Sequence, residues 1–201
     1  MSEVQPPAKN RLREELLCAR LHLGPDERAR RSRAACERVV ALPAFREART
    51  IALYAAAGAE ADPTSLGETA LSRKKRIAFP RLDPDSRVLS FAACSPADLV
   101  PGARGVRAPP PGCAPVKLEE LDLVVVPGVG FDLHGRRLGR GGGYYDATLA
   151  LLTPHTLRVA LAFDLQIVAE VPGEPHDVAV QLLATESRLL EAAWTPPSAG
   201  R

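Results

Sequence analysis

Four short apolar runs constrain the fold of this chain more than any other feature. "TIALYAAA" (50–57), "KRIAFP" (75–80), "LDLVVVP" (121–127) and "LRVALAF" (157–163) are each bounded by turn residues and show no polar alternation. Runs of that kind read as strands buried on both faces, which requires a covering layer on each side of a sheet. "VLSFAAC" (88–94) is a weaker strand candidate. Helical patterns at 64–72, 143–152 and 164–170 fall between or after the strands, and the alternation predicts a three-layer α/β/α sandwich, Rossmann-like, in a single domain over residues 1–201. Its core is expected over 8–190, between short flexible tails such as "TPPSAGR".

Two helices precede the sheet. Leu12, Leu16, Ala19 and Leu23 recur at steps of four, three and four, predicting an apolar stripe on a helix over 9–23. Pro25 with Asp26 and Glu27 opens a second helix, expected over 25–41. On the first helix Lys9, Arg13 and Arg20 fall within about 40° of one another, along one edge of the stripe. Neither Glu14 nor Glu15 lies on that edge, so the three charges are expected to be unpaired, as a solvated basic face or as the contact for a polyanion.

Charge and cysteine content narrow the class. Twenty-six Lys and Arg against 24 Asp and Glu give a net charge of +2, too near balance for a dedicated nucleic-acid or membrane-surface binder. The N-terminal stretch lacks the apolar core of a secretory signal and no window reaches a membrane span, so a cytoplasmic location is expected. Cys18, Cys36, Cys94 and Cys113 form no CxxC pair and read as reduced packing residues. The expected state is a monomer.

One segment asks for chemistry. "RLGRGGGYYD" (137–146) places Gly139, Gly141, Gly142 and Gly143 between arginines and a helix start. Backbone N–H groups freed from side-chain crowding can converge on phosphate oxygens, with Arg137 and Arg140 supplying fixed charge and the following helix N-terminus adding to it. A merely structural turn is the other reading. The segment is no P-loop, since no Lys-Ser/Thr follows the last glycine, and "GVG" (128–130) lacks the third glycine of a dinucleotide fingerprint. Asp146 is either a capping residue in the first helical turn, where the dipole favours a carboxylate, or a Mg²⁺ ligand beside phosphates. Tyr144 and Tyr145 are packing residues or ligand contacts. Glu60 is an exposed loop carboxylate or part of a pocket wall, and His176–Asp177 is a turn or a source of a second metal carboxylate.

The residues themselves resemble a known family. "VVVPGVGFDLHGRRLGRGGGYYD" is similar to the signature of 5-formyltetrahydrofolate cyclo-ligases, also called 5,10-methenyltetrahydrofolate synthetases. "KNRLR", "IALYAAAGAEAD", "RIAFPR", "LAFDLQIVAEVPGEPHD" and "ATES" extend the resemblance over nearly the whole chain. It implies ATP- and Mg²⁺-dependent closure of 5-formyltetrahydrofolate to 5,10-methenyltetrahydrofolate, with release of ADP and phosphate through a phosphorylated N5-formyl intermediate. ATP and the folate are then the partners, with Mg²⁺ as cofactor. By resemblance Lys9, Arg13 and the loop Arg137, Leu138, Gly139, Arg140, Gly141, Gly142, Gly143, Tyr144 and Tyr145 bind ATP. Arg137 and Arg140 are the expected catalytic residues. Ala55, Glu60 and Arg140 to Tyr144 match folate positions, and Asp146 and Asp177 match metal ligands. The chain departs from the pattern at Gln181, where many members are acidic, and at the small Ala55–Ala57. Rival readings are a sugar-phosphate isomerase or acyl-CoA transferase on a related fold, and an RNA-binding role for "GRRLGRGGG".

Overall fold

The computed structural model describes residues 7–83, 85–174 and 177–193; His176 and the expected terminal tails lie outside them. The chain runs α1 (Pro7–Leu21), α2 (Pro25–Ala41), α3 (Pro43–Glu47), β1 (Thr50–Ala52), α4 (Thr64–Ser72), β2 (Arg76–Arg81) and β3 (Ser90–Ala93). A small hairpin, β4 (Val100–Pro101) and β5 (Arg107–Ala108), leads to β6 (Pro115–Val116) and β7 (Leu123–Val126). Then follow β8 (Gly130–Asp132), β9 (Arg137–Leu138), α5 (Tyr144–Leu149), β10 (Leu157–Leu161), β11 (Ile167–Val168), β12 (Leu182–Ala184) and β13 (Leu189–Glu191).

The main sheet has the order β13-β12-β10-β7-β1-β2-β3-β6. Its five central strands, β12 to β2, are parallel, and β13, β3 and β6 are added antiparallel at the edges. Side chains divide by strict alternation. Ile51, Leu123, Val125, Val159 and Leu161 enter one core with Ala35, Val39 and Leu66 of α2 and α4. Ala52, Ala78, Val124, Val126 and Ala160 face the other side, against Leu149 of α5. Both faces are therefore dry, as a parallel sheet requires. From β1 the chain first moves to β2 and later returns to β7 on the other flank, so the β1/β7 border is the switch point of a doubly wound sheet, where ligands bind beyond the carboxyl ends of the strands.

The expected helices at 25–41 and 64–72 form over those residues. Ser32, Ala35, Cys36 and Val39 bury one face of α2, and burial pushes the Cys36 thiol up to about 11. Four other elements differ. The strand expected over 50–57 leaves the ladder after Ala52: Leu53 N still donates to Ala78 O at 2.9 Å, but the chain then parts from β2 and β7, which run on to Arg81 and Val126, and turns at Gly58, where φ is +65°. The helix expected at 143–152 is only six residues long, ending in the 3-10 bonds from Leu151 N to Thr148 and from Leu152 N to Leu149.

The helix expected at 164–170 does not form. A 3-10 turn over Asp164–Gln166 gives way to β11, which pairs in parallel with β8. The buried Gln166 amide is the cause: its oxygen accepts from Phe163 N at 2.8 Å and its nitrogen donates to Gly128 O at 2.9 Å and Val129 O at 3.1 Å. Those bonds fix the chain in a turn beside β8, where Ile167 and Val168 suit a strand. Finally, the apolar stripe of α1 is rotated from the expected one: Ala19 is exposed, whereas Lys9, Leu16 and Arg20 are buried.

A second, three-stranded sheet, β11-β8-β9, stands beside the main one and carries the site's loops. Its centre is Asp132, fully buried, whose carboxylate accepts from His134 N (2.9 Å), Arg136 N (3.1 Å), Arg136 Nε (2.7 Å) and Val171 N (2.9 Å). No helix among the described residues is long and apolar enough to cross a membrane.

An Asp132→Asn protein should test that network. An amide keeps one acceptor but turns an NH₂ toward donors, and leaving Arg136 without its buried partner costs about 3 kcal/mol. Urea unfolding monitored by circular dichroism should show that loss; a change below about 1 kcal/mol would make the network dispensable.

Candidate functional site

The residues singled out in the sequence line one cavity of about 830 Å³ at the β1/β7 switch point. That volume suits a small-molecule site. Lys9 and Arg13 come from α1, Ala55 and Glu60 from the segment after β1, Arg137 to Asp146 from β9 and the loop to α5, and Asp177 from the segment after β11.

The basic edge of α1 is neither solvated nor unpaired. Lys9 Nζ lies 2.9 Å from Glu174 Oε1 and 3.4 Å from Asp177 Oδ2. Arg13 Nε donates to Gly139 O at 2.8 Å and Arg20 Nη1 to Gly128 O at 3.3 Å. Between them Leu16 packs with Val129, Leu138 and Val171. The face of α1 defined by residues 9, 13, 16 and 20 thus seats the ends of three site loops. The aliphatic stems of its basic residues take the place of apolar side chains while their heads meet carbonyls and carboxylates. Burial depresses the guanidinium pKa of both Arg13 and Arg20, though an arginine stays charged regardless.

The glycine loop takes left-handed conformations at Gly141, φ +94°, and Gly143, φ +70°, which a side chain would resist. The cationic set around it is built more by arginines than by α5, whose six residues give little dipole. Arg137 is 8% exposed; its Nη2 donates to Asp146 Oδ1 at 2.7 Å, and its guanidinium lies 5.6 Å from the centre of the Tyr145 ring. Its Nε is buried and has no hydrogen-bond partner among the described residues. A buried donor of that kind, on a side chain lining the cavity, is costly unless a ligand meets it. Asp146 is therefore held by an arginine rather than by capping its own helix, which has no side-chain cap.

Glu60 is a wall residue, its side chain 10% exposed. Its carboxylate accepts from Ala57 N at 3.0 Å and from Arg140 Nε at 3.0 Å, while Arg140 Nη2 donates to Ala57 O at 2.9 Å. Glu60 thereby joins the glycine loop to the end of β1, two segments 80 residues apart. Desolvation, then the Glu60 charge, push the Tyr54 and Tyr145 phenols above their usual range, so both remain neutral donors near that carboxylate.

Asp177 and Glu174 form a reciprocal turn: Glu174 N donates to Asp177 Oδ2 at 2.8 Å and Asp177 N to Glu174 O at 3.0 Å. Glu174 was not singled out in the sequence, although its spacing of three from Asp177 is the signal for it. Asp146 and Asp177 share the cavity, and no cluster of three or more His, Cys, Asp or Glu suited to a metal occurs among the described residues. Two carboxylates in one cavity with arginines and the glycine loop are a donor set that fits Mg²⁺, which takes one or two carboxylates and completes its shell with water and substrate phosphates. Of the two departures, Ala55 and Ala57 line the cavity, whereas Gln181 accepts from Arg158 N at 2.8 Å within the sheet.

A model of the 5-formyltetrahydrofolate cyclo-ligase family matches residues 5–186. The chain is 32% identical to the Escherichia coli K12 5-formyltetrahydrofolate cyclo-ligase over 173 residues, covering 84% of this chain and 95% of that protein. It is 30% identical to the mouse protein of the same name, covering 86% of this chain and 91% of the relative. The solved structure of Aquifex aeolicus 5,10-methenyltetrahydrofolate synthetase superposes with a TM-score of 0.80 at 32% identity over 96% of both chains. With matches along almost its whole length in sequence and in fold, the chain belongs to the 5-formyltetrahydrofolate cyclo-ligase family.

Proposed function

We propose that this protein converts 5-formyltetrahydrofolate to 5,10-methenyltetrahydrofolate at the expense of ATP, with Mg²⁺. The observation that carries the reading is the buried Arg137 Nε, a donor without a partner among the described residues, set in a cavity whose other walls supply Lys9, Arg13, Arg140, two aspartates and the glycine loop. Family membership supports the folate substrate.

The chemistry needs these residue types. An N-formyl oxygen is a poor leaving group, so it first attacks the γ-phosphorus, the bond to ADP breaks, and the formyl carbon becomes an iminium bearing phosphate. N10 then attacks that carbon, loses its proton, and phosphate departs with the C–O bond as the ring closes. No covalent protein nucleophile is required. Phosphoryl transfer asks the protein for alignment and for charge on the moving oxygens. Arg137 and Arg140 act as catalytic residues by meeting those oxygens, and Lys9 and the N–H groups of residues 139–143 hold the triphosphate. Asp146 and Asp177 would hold Mg²⁺, which would supply neutralisation of phosphate charge. Their present partners Arg137 and Lys9 line the same cavity and would face the phosphates. Glu60 accepts from the N–H edge of the pterin.

The decisive assay mixes the protein with 5-formyltetrahydrofolate and Mg-ATP and follows methenyltetrahydrofolate absorbance. ATP-dependent product is expected, and its absence would remove the reading. Asp146→Asn should raise the Mg²⁺ concentration for half-maximal turnover about tenfold or more, since an amide ligates Mg²⁺ poorly. Full turnover at low Mg²⁺ would reduce Asp146 to a partner of Arg137.

Lys9→Ala should raise the KM for ATP more than that for the folate, because the partner lost is a phosphate. It also removes the ammonium that Glu174 and Asp177 face, so the melting temperature is measured alongside. A larger effect on the folate would count against the assignment. Glu60→Gln sets an NH₂ against pterin donors, and an unmatched buried donor costs roughly 1–3 kcal/mol, so folate affinity should fall by about one to two powers of ten. Calorimetric titration of folate and of a non-hydrolysable ATP analogue into both proteins checks this; unchanged folate affinity would return Glu60 to the role of an anchor for Arg140.

A further inference from the structure

The wall of the cavity is part apolar and part cationic. Pro80, Leu82, Leu89, Val106 and Ala108 give it an apolar stretch, supplied by β2, the segment before β3 and the β4–β5 hairpin. Arg87 and Arg104 line the same cavity and also an adjoining recess of about 470 Å³, together with Gly141, Gly142 and Tyr144. They stand where the two spaces meet.

These two arginines differ from the others around the cavity. Arg13, Arg107, Arg137 and Arg140 each donate to a carbonyl or carboxylate of the protein. Arg87 and Arg104 have no hydrogen-bond acceptor or ion-pair partner among the described residues, and Asp85, which also lines the recess, pairs with neither. Arg104 is nonetheless directed: its guanidinium lies 5.5 Å from the centre of the Tyr144 ring, and its backbone holds a left-handed φ of +56°, a conformation that costs a non-glycine residue free energy. Arg87 Nη1 lies 4.0 Å from where a Cβ on Gly143 would stand, which brings the second guanidinium to the same loop.

We infer that Arg87 and Arg104 form a subsite for the dicarboxylate tail of the folate, the glutamyl group that follows its aminobenzoyl ring. The inference rests on the folate reading above and extends it to substrate specificity. The make-up of the wall matches the substrate: apolar side chains for a flat ring and, where the cavity meets the recess, two guanidiniums for two carboxylates. Guanidinium and carboxylate pair in a planar, two-bond geometry that a lysine could not reproduce. A nucleotide phosphate would satisfy the same guanidiniums, so the test separates the two anions.

The full chain and its Arg87→Ala, Arg104→Ala and Arg104→Lys variants are assayed with Mg-ATP on 5-formyltetrahydrofolate and on the analogue that ends at the aminobenzoate. The quantity read is the ratio of kcat/KM for the tail-bearing substrate to that for the tail-less one. Each alanine variant should lower this ratio about tenfold, the loss of one charge-assisted pair, with Arg104→Lys falling between. The KM for ATP should change less than the KM for the tail-bearing folate. A ratio equal to the parent's in both alanine variants overturns the inference, and so does a rise confined to the KM for ATP, which would give the arginines to the nucleotide. These results leave the folate reading standing. Absence of ATP-dependent product from the parent instead removes that reading, and this inference with it.

Discussion

The site depends first on one buried charge. Asp132 is fully enclosed at the end of β8, and its four hydrogen bonds reach in two directions. Three of them close the 132–136 turn, from which the chain passes directly into Arg137 and the glycine loop. The fourth, from Val171 N, fixes the segment that goes on to Glu174 and Asp177. Cationic loop and acidic turn are thus registered to each other through a single carboxylate. A buried carboxylate is expensive to leave unpaired, and the Arg136 guanidinium together with three backbone donors makes it a rigid junction.

On that junction the protein assembles charges that balance one another. Lys9 sits between Glu174 and Asp177, Arg137 on Asp146, and Arg140 on Glu60. The Lys9 and Arg140 pairs join segments far apart in the chain and the Arg137–Asp146 pair closes the glycine loop from end to end, so the ion pairs hold the cavity's shape. A phosphate competing for Arg137 and a cation competing for Asp146 would each be favoured by the other, because separating the pair exposes both charges at once. Anion and cation binding at this site should therefore support each other.

The helices divide the labour. α2 and α4 cover one face of the sheet through apolar packing, and α5 with neighbouring loops covers the other. α1 belongs to neither layer. It lies against β8, β9 and the ends of their loops, with Leu16 tight enough that a Cβ on Gly130 would stand 2.5 Å from its Cδ1. The glycine in "GVG" accordingly serves close packing of a helix that carries two of the proposed phosphate contacts.

The sequence by itself determined the sheet and which segments follow the ends of its strands. Apolar runs such as "LDLVVVP" dictate strands buried on both faces, the helices at 25–41 and 64–72 follow from their own period and first-turn residues, and the glycine loop after a strand end is legible as a cradle. These are local properties, set by side-chain volume, polarity and backbone freedom. What only the tertiary structure decided is partnership. Composition along α1 gave three unpaired cations and an apolar stripe through Ala19, whereas Glu174, Asp177 and the carbonyls of Gly128 and Gly139, all more than 100 residues distant, turn the helix onto its basic edge. The segment 164–170 has a helical pattern, yet the Gln166 side chain finds Gly128 and Val129, and β11 forms beside β8 instead. Glu60 looks like a loop carboxylate until Arg140 arrives from 80 residues away. Pattern fixes what a segment can bury; which charge meets which is fixed by the fold, since Coulomb attraction and hydrogen bonding act through space and carry no mark of sequence separation.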